Sequence, residues 1–130
     1  MRIVIVGGPR SGKSTIAASL AARHGYTHYC TDPISLVKEP IKNVTYLPEG
    51  LEWGKDSEYV CGNWFTKDKY IIEGVGTVRA LRKWDGKPDM IIVFKDKIVD
   101  RTDGQEAMAK SVITMWDGIS SKYKDITHYL

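Results

Sequence analysis

Residues 3–15 of this chain read Ile3-Val4-Ile5-Val6-Gly7-Gly8-Pro9-Arg10-Ser11-Gly12-Lys13-Ser14-Thr15. The opening apolar run is typical of a parallel strand that is buried on both faces. Residues 7–14 then fit the spacing Gly-x-x-x-x-Gly-Lys-Ser/Thr, and an alanine-rich helical pattern follows them. In this order a glycine turn delivers the chain to a helix whose first N–H groups can wrap a phosphate. The stretch predicts a nucleotide-binding loop, and the alternative is a plain strand-to-helix turn.

The predicted phosphate loop (residues 7–14) also assigns roles to its members. We expect Lys13 to bridge the terminal phosphates as a catalytic charge and Ser14 to bind Mg²⁺. Arg10 lies inside the loop, where it can reach phosphate or base. The expected nucleotide-binding set is Gly7, Gly8, Pro9, Arg10, Ser11, Gly12, Lys13, Ser14 and Thr15. The expected cofactors are ATP or GTP together with Mg²⁺.

Length and charge limit the class of protein. The chain has 130 residues, 42% of them apolar, which is the usual size of one domain and too small for two. We therefore expect residues 1–130 to form a single domain. The net charge is +3, with acids and bases interspersed. This balance is compatible with phosphate-bearing ligands and does not demand nucleic acid.

Cysteine usage and hydropathy indicate the compartment. Cys30 and Cys61 show no Cys-x-x-Cys spacing, which favours reduced, mostly buried thiols over a metal site or a disulfide. The phosphate loop interrupts the N-terminal apolar residues where a signal peptide needs an unbroken stretch. No apolar run approaches the ~18 residues of a membrane span. The expected location is cytoplasmic, with no membrane partner.

Strand and helix patterns alternate along the chain, which predicts an α/β fold of three layers with a five-stranded, mainly parallel sheet. The predicted strands are residues 3–6, 26–30, 70–73, 90–94 and 126–130. The predicted helices are residues 13–24, 33–39, part of 55–65, a short basic helix after residue 76, and 105–123. Residues 41–50 lack periodicity and are predicted to form a surface loop. Strand 3–6 should be central, between the strands that end at Glu73 and Phe94, because all three are continuous apolar runs.

Two acidic residues follow strands, at the edge where parallel sheets bind ligands. Glu73 ends an apolar strand, and we expect it to hold Mg²⁺ together with Ser14; the alternative is a strand-end glutamate that pairs with a nearby cation. Asp32 follows the second strand, and we expect it to act as the catalytic base that takes the proton of an acceptor hydroxyl. The alternative for Asp32 is a helix N-cap before Pro33, and one carboxylate can serve in both ways.

Basic residues supply candidates for contacts with migrating phosphate. Arg79, Arg82 and Lys83 lie within one and a half turns of the predicted helix after Glu73, and helical geometry puts Arg79 beside the other two. Two of these charges can meet one phosphate, and Arg79 is the catalytic candidate. Arg101 precedes the last long helix. We expect it to be a mobile catalytic cation over the β- and γ-phosphates, and the alternative is an ordinary loop charge.

The remaining residue types with chemical potential are predicted to be structural. The histidines lack the spacing of a metal site or a catalytic pair: His24, His28 and His128. Trp53 and Trp64 can stack a nucleobase, although core packing is the favoured interpretation. Four apolar positions of the last long helix recur at helical spacing and are expected to pack: Met108, Val112, Met115 and Ile119.

With the phosphate loop, Asp32 and Glu73 in these positions, the chain resembles the P-loop kinases of the nucleoside and nucleotide kinase type, including small kinase-like proteins of bacteriophages. Thr31-Asp32-Pro33 is similar to the Thr-Glu-Pro segment of deoxyribonucleoside kinases, whose acid is the base for a sugar hydroxyl. The same position resembles the substrate-side aspartate of polynucleotide 5′-kinases and shikimate kinases. Ile72-Glu73-Gly74 looks like the Asp-Gly segment of adenylate-kinase-like enzymes. Thr77 stands where those enzymes continue into a phosphate-binding Arg, and Arg79 is the nearest candidate here.

The resemblance implies a P-loop NTPase fold and an ATP- and Mg²⁺-dependent kinase that acts on a nucleoside, a nucleotide or a nucleic-acid 5′ end. A different class of function is an NTPase or switch that couples hydrolysis to a partner and has no phosphoryl acceptor. An enclosed pocket near Asp32 and Arg79 would favour the kinase, and an open nucleotide site with a flat exposed patch would favour the switch. A nucleic-acid-binding module is the third hypothesis. It ranks last because the basic residues are scattered and do not form the clustered patch that such modules use.

Overall fold

The computed structural model describes residues 1–32, 43–52, 54–95 and 100–130. In chain order its elements are β1 (Arg2–Gly7), α1 (Lys13–His24), β2 (His28–Cys30), β3 (Val44–Tyr46), α2 (Asp56–Asn63), β4 (Tyr70–Glu73), α3 (Thr77–Lys83), β5 (Met90–Phe94), α4 (Asp103–Ile119), a 3₁₀ segment (Ser120–Ile126) and β6 (Thr127–Tyr129). Among these residues, no helix is both long and apolar enough to cross a membrane.

Within the described ranges, the six strands form one parallel sheet in the order β3-β2-β4-β1-β5-β6. Val4 of β1 pairs with Ile72 of β4 on one side and with Ile91 of β5 on the other. The predicted α/β class is therefore confirmed, as is the central position of the first strand. The apolar side chains of β1, β4 and β5 are buried, apart from the half-buried Met90 and Phe94 at the two ends of β5, as expected for parallel strands covered by helices on both faces.

The strand count is the main difference from the expected fold. β3 lies inside the stretch 41–50, which was predicted to be a loop, and it pairs with β2 at the edge of the sheet, with Tyr29 opposite Thr45. Val, Thr and Tyr all favour extended backbone, but a run of three residues is too short to display an alternating pattern. The predicted helix 33–39 and residues 96–99, between β5 and α4, lie outside the described residues.

Helices cover the sheet on two sides, and each side has its own apolar core. On the α1 side, Ile5 and Ile71 of the sheet pack with Ala17 of α1. The core on the opposite side is larger and includes α2, α3 and α4. Trp64 belongs to this core. Only 3% of its surface is exposed, and the centroids of the Trp64 and Tyr29 rings lie 4.8 Å apart. Packing is therefore the role of Trp64; Trp53 lies outside the described residues.

Helix ends follow local signals in the sequence. α1 covers the predicted range and ends at Gly25, whose φ of 68° is the left-handed stop that glycine favours. α4 begins two residues earlier than predicted, because Thr102 and Gln105 form a capping box that fixes its first turn. It ends at Ile119, and the chain continues through the 3₁₀ segment toward β6.

Candidate active site

The phosphate loop joins β1 to α1 at the carboxyl edge of the sheet, as its sequence predicts. The hydroxyl of Ser11 donates to the carbonyl of Gly8 at 2.8 Å, and Lys13 Nζ donates to the same oxygen at 3.4 Å. Lys13 is only 5% exposed, so its ammonium lies within the loop. Gly12, at φ 90°, is the N-cap of α1 and has no side chain to bond the first N–H groups. The loop therefore directs backbone donors and one cation toward the same space.

Two glycines of the loop are required because other atoms come very close. A Cβ on Gly8 would lie 2.6 Å from the Cβ of Ala109 in α4, and a Cβ on Gly7 would lie 2.7 Å from Ser11 Oγ. Arg10 is exposed and has φ 58°, which is unusual for a residue with a side chain and places it at the bend of the loop. The loop therefore packs closely against α4 and folds tightly on itself.

Glu73, at the end of β4, is the most buried carboxylate of the described residues, with 1% of its surface exposed. Ser14 Oγ lies 3.2 Å from both carboxylate oxygens and donates to them, and His28 Nε2 lies 3.2 Å from Oε1. Parallel pairing puts Cys30 directly beside Glu73. We call these four residues, Ser14, His28, Cys30 and Glu73, the Glu73 cluster. A buried carboxylate is stable only when hydrogen bonds and charges compensate for lost water, and the cluster provides both.

The electrostatics of the Glu73 cluster fix its protonation states. Burial alone would raise the pKa of Glu73, but the hydrogen bond from His28 and the charge of Lys13, with a further hydrogen bond from Cys30, hold the pKa below its usual value. Burial and the neighbouring charges of Glu73 and Asp32 raise the pKa of the Cys30 thiol. Glu73 is therefore ionised near neutral pH, and Cys30 is a protonated, unreactive thiol.

The Glu73 cluster has donor atoms that suit Mg²⁺. The Ser14 hydroxyl and the Glu73 carboxylate are hard oxygen ligands that already point at one another. In nucleotide sites Mg²⁺ takes few protein oxygens and completes its shell with water and phosphate oxygens. Ser14 also begins α1 next to the phosphate loop. These residues therefore fit a nucleotide-bound Mg²⁺.

Thr31 and Asp32 hold the turn that follows Glu73. Asp32 Oδ1 accepts from the backbone N–H of Val75 at 2.9 Å, and Thr31 Oγ1 accepts from the N–H of Gly76 at 3.0 Å. Gly74 has φ 124°, and a Cβ there would lie 2.8 Å from the backbone nitrogen of Thr31. The two chain segments are therefore locked together. The predicted helix 33–39, which Asp32 would cap in the alternative interpretation, lies outside the described residues.

A cavity of about 460 Å³ opens between the phosphate loop, α2, α3 and α4. Its polar lining includes Lys13, Asp32 and Arg79, three of the four predicted catalytic residues. Four apolar side chains from α3 and α4 also line it: Val78, Met108, Val112 and Met115. We call this space the α3–α4 cavity. Met108 is 43% exposed, so the interpretation of the α4 stripe as packing is wrong for Met108, which forms part of the cavity wall.

The other predicted cations are placed differently. Arg101 Nε donates to the carbonyl of Pro9 at 2.6 Å, and its side chain is 6% exposed. Arg101 therefore lies fixed against the phosphate loop, where the sequence suggested a mobile cation. Arg82 lines a second hollow with Lys110, which adjoins the α3–α4 cavity at Ser111 and Met115. Arg79 alone of the basic helix lines the α3–α4 cavity.

Sequence reasoning did not place His28 or Cys30 beside Glu73, and it did not predict the contact of Thr31 with Gly76. His28 was expected to be structural because it shows no metal or catalytic spacing, yet it contacts Glu73 across 45 residues of chain. The available signal was alternation along β2: residues 28 and 30 share one face, and pairing with β4 puts that face beside Glu73. The register that brings them together is set by tertiary packing.

Comparison with known proteins gives a partial match. No family model matches the chain. An adenylate kinase from Caldicellulosiruptor saccharolyticus is 36% identical to it over 73 residues, which are 56% of this chain and 31% of that protein. The match therefore covers just under a third of the relative's length. A match of this extent supports a relationship to P-loop nucleotide kinases and does not identify a substrate.

Proposed function

We propose that the protein is a kinase that uses ATP or GTP and Mg²⁺ to phosphorylate a nucleoside, a nucleotide or a nucleic-acid 5′ end. The observation that carries this proposal is the α3–α4 cavity, which gathers Lys13, Asp32 and Arg79 around a space of about 460 Å³. Volumes in this range accommodate small organic ligands. A switch protein without an acceptor does not need such a cavity beside its phosphate loop. The partial likeness to an adenylate kinase supports the same class.

Each part of the site has a role in the proposed transfer. The loop backbone and Lys13 bind the β- and γ-phosphates, and Ser14 and Glu73 hold Mg²⁺, which neutralises phosphate charge when bound. The bond between the γ-phosphorus and the bridging oxygen breaks while the acceptor oxygen bonds to that phosphorus. Asp32 takes the hydroxyl proton, and ADP or GDP leaves. Arg79 faces the acceptor, and Arg101 supports the loop through Pro9.

Asp32 favours a hydroxyl acceptor. One of its oxygens already accepts from Val75, which fixes the plane of the carboxylate. The other oxygen, Oδ2, is then the proton acceptor in the cavity. A phosphate acceptor arrives already ionised and needs no base, so a nucleoside or a 5′-hydroxyl end uses Asp32 better than a monophosphate does.

The decisive experiment is an acceptor screen. The protein is incubated with γ-labelled ATP, Mg²⁺ and, separately, nucleosides, nucleoside monophosphates, small alcohols resembling shikimate, and 5′-hydroxyl oligonucleotides. We expect label in one acceptor class, with no transfer by Lys13→Ala. Label that appears only as inorganic phosphate, at a rate no acceptor changes, would instead support the NTPase or switch.

A further inference from the structure

His28 is a buried polar residue that the proposed transfer leaves without a role. Only 3% of its surface is exposed, and it lies on β2, whose side chains at positions 28 and 30 face the same side of the sheet. Its backbone pairs with Ile71, two residues before Glu73, so the ring extends along the sheet toward the carboxylate. Nε2 meets Glu73 Oε1 at 3.2 Å.

The direction of this hydrogen bond follows from the chemistry of its partners. An ionised carboxylate only accepts hydrogen bonds, so Nε2 carries the proton and donates it to Oε1. A neutral imidazole in this tautomer is sufficient. The Ser14 hydroxyl, at the start of α1, donates to the same carboxylate. Glu73 is therefore held by donors from β2 (His28 and Cys30) and by one donor from the start of α1 beside the phosphate loop.

Removal of the His28 donor would leave the carboxylate with the Ser14 hydroxyl and the weakly donating Cys30 thiol, and would therefore loosen the restraint on its rotation. Ser14 contacts both carboxylate oxygens equally, so its hydroxyl alone does not select one orientation. The His28 bond reaches Oε1 only, so it distinguishes the two oxygens and restrains rotation of the carboxylate, and it leaves Oε2 free of the imidazole. Groups that hold a metal-binding carboxylate in one orientation typically change metal affinity by roughly ten- to a hundredfold when they are removed.

We infer that His28 is a positioning residue for the cation site of this protein: it orients Glu73 so that one carboxylate oxygen, together with Ser14, receives nucleotide-bound Mg²⁺. This inference rests on the metal role of Ser14 and Glu73 in the proposed function. It concerns nucleotide binding rather than the acceptor.

The test compares ATP affinity with and without Mg²⁺ by isothermal titration calorimetry. For each variant, the ratio of the ATP dissociation constants in EDTA and in excess Mg²⁺ reports the contribution of the metal. We expect His28→Leu to lower this ratio roughly tenfold while ATP affinity in EDTA stays unchanged. His28→Gln, whose amide N–H can reach Oε1, should restore most of the ratio. Glu73→Gln should lower it at least as far as His28→Leu.

Two controls separate positioning from general destabilisation. His24→Leu removes an exposed histidine, and Ile71→Val trims a buried side chain of the same sheet face; neither should change the ratio. Should His28→Leu fail to fold, His28→Asn replaces it, because its amide is one methylene too short to reach Glu73. The inference is overturned if the ratio for His28→Leu, or for His28→Asn in its place, equals that of His28→Gln.

The measurement also separates this inference from the proposed function. Binding needs no acceptor, so an acceptor screen without any labelled product would remove the kinase assignment and leave the His28 result intact. Conversely, a Glu73→Gln variant that keeps the wild-type ratio would overturn both the metal role of Glu73 and the positioning role of His28.

Discussion

The two sides of the sheet at its carboxyl edge are built in opposite ways. On the α1 side, the Glu73 cluster is closed: His28, Cys30 and Glu73 are each less than 5% exposed, and hydrogen bonds join Glu73 to Ser14 and His28. On the other side, the α3–α4 cavity is open, and charged residues share its lining with methionines. The Glu73 cluster holds its side chains in one arrangement, whereas the α3–α4 cavity leaves room for a ligand.

The difference separates two tasks in the proposed site. A closed, fully bonded cluster is costly to rearrange, so it suits the part of the chemistry that is the same in every cycle: the nucleotide and its cation. A cavity with flexible methionine side chains suits selection of the acceptor. Substitutions in the cluster should therefore affect every reaction of the protein, and substitutions in the cavity should affect transfer to an acceptor alone.

Lys13→Ala should have the largest effect, because Lys13 belongs to both sides. It lines the α3–α4 cavity and its charge also lowers the pKa of Glu73. Loss of a positioned charge at the transferred phosphate typically costs a hundredfold or more in rate. We expect at least that loss in nucleotide turnover and in phosphoryl transfer, with the fold retained. The exposed Lys124→Ala is the matched control in the same assay, and unchanged turnover in Lys13→Ala would exclude the phosphate loop as the catalytic one.

Asp32→Asn should impair the function of the α3–α4 cavity and leave that of the Glu73 cluster intact. We expect transfer to the acceptor to fall roughly a hundredfold, the usual scale for a positioned base, while ATP affinity stays near wild type. The melting temperature should change little, because the Asn Oδ1 can still accept from the N–H of Val75. Transfer assays, calorimetry and thermal melts together make the comparison.

Glu73→Gln provides the contrast to Asp32→Asn, since it should weaken Mg²⁺-dependent nucleotide turnover whatever acceptor is present. The exposed Asp85→Asn controls for loss of a surface carboxylate. A lower melting temperature with full transfer in Asp32→Asn would leave Asp32 as a structural residue and remove the base from the proposed site.

Gly74→Ala should disrupt the packing of the turn after Glu73 against Thr31 and Asp32 without removing any catalytic group. Gly74 has φ 124°, and a Cβ there would meet the backbone nitrogens of Thr31 and Asp32 at 2.8 and 3.0 Å. We expect a loss of about 2–3 kcal/mol in the free energy of unfolding, the range for a strained backbone with a steric clash. Thermal or urea unfolding measures it.

Gly62→Ala is the matched control for Gly74→Ala. Gly62 lies inside α2 with nothing within 4 Å of an added Cβ. Alanine should stabilise the helix there by roughly 0.5–1 kcal/mol. Equal effects of the two substitutions would show that the turn after Glu73 is not held as the structure describes.

The sequence predicts the chemistry of single strand ends better than the contacts between them. Strand 3–6, the phosphate loop and Glu73 are found as expected, because a long apolar run and a glycine spacing are local signals. β3 was missed because three residues carry no period. His28 was missed because its partner lies 45 residues away, and strand register is decided by packing that no local pattern displays.

The candidate site also has features that the sequence predicts and features that depend on tertiary packing. The meeting of Lys13, Asp32 and Arg79 in one cavity could be anticipated, since all three follow strands or begin helices at one edge of the sheet. The fixed position of Arg101 could not be anticipated, because its bond to Pro9 depends on how α4 packs against the phosphate loop. The wall formed by Met108 depends on the same packing.

The smallest expected effect is the pH dependence of stability, which compares a buried carboxylate with an exposed one. The folded pKa of Glu73 is held below its ordinary value of 4.5, because the bonds and charges from His28 and Lys13 outweigh burial. Glu73 therefore contributes stability that is fully present at neutral pH and is lost as the pH falls below about 4.5, through the lower folded pKa. The difference in unfolding free energy between wild type and Glu73→Gln should shrink over that range.

Asp89→Asn is the comparison for Glu73→Gln. Hydrogen bonds from Arg2 also lower the pKa of Asp89, but the Asp89 side chain is 42% exposed. Exposed ion pairs contribute little and are screened by salt, whereas a buried group is screened much less. Urea titrations between pH 7 and pH 3, at low salt and in 0.5 M NaCl (~4 Å screening length), should show salt sensitivity for Asp89 alone. A wild-type to Glu73→Gln difference that stays constant across this pH range would mean that the Glu73 carboxylate is not held ionised by its buried partners.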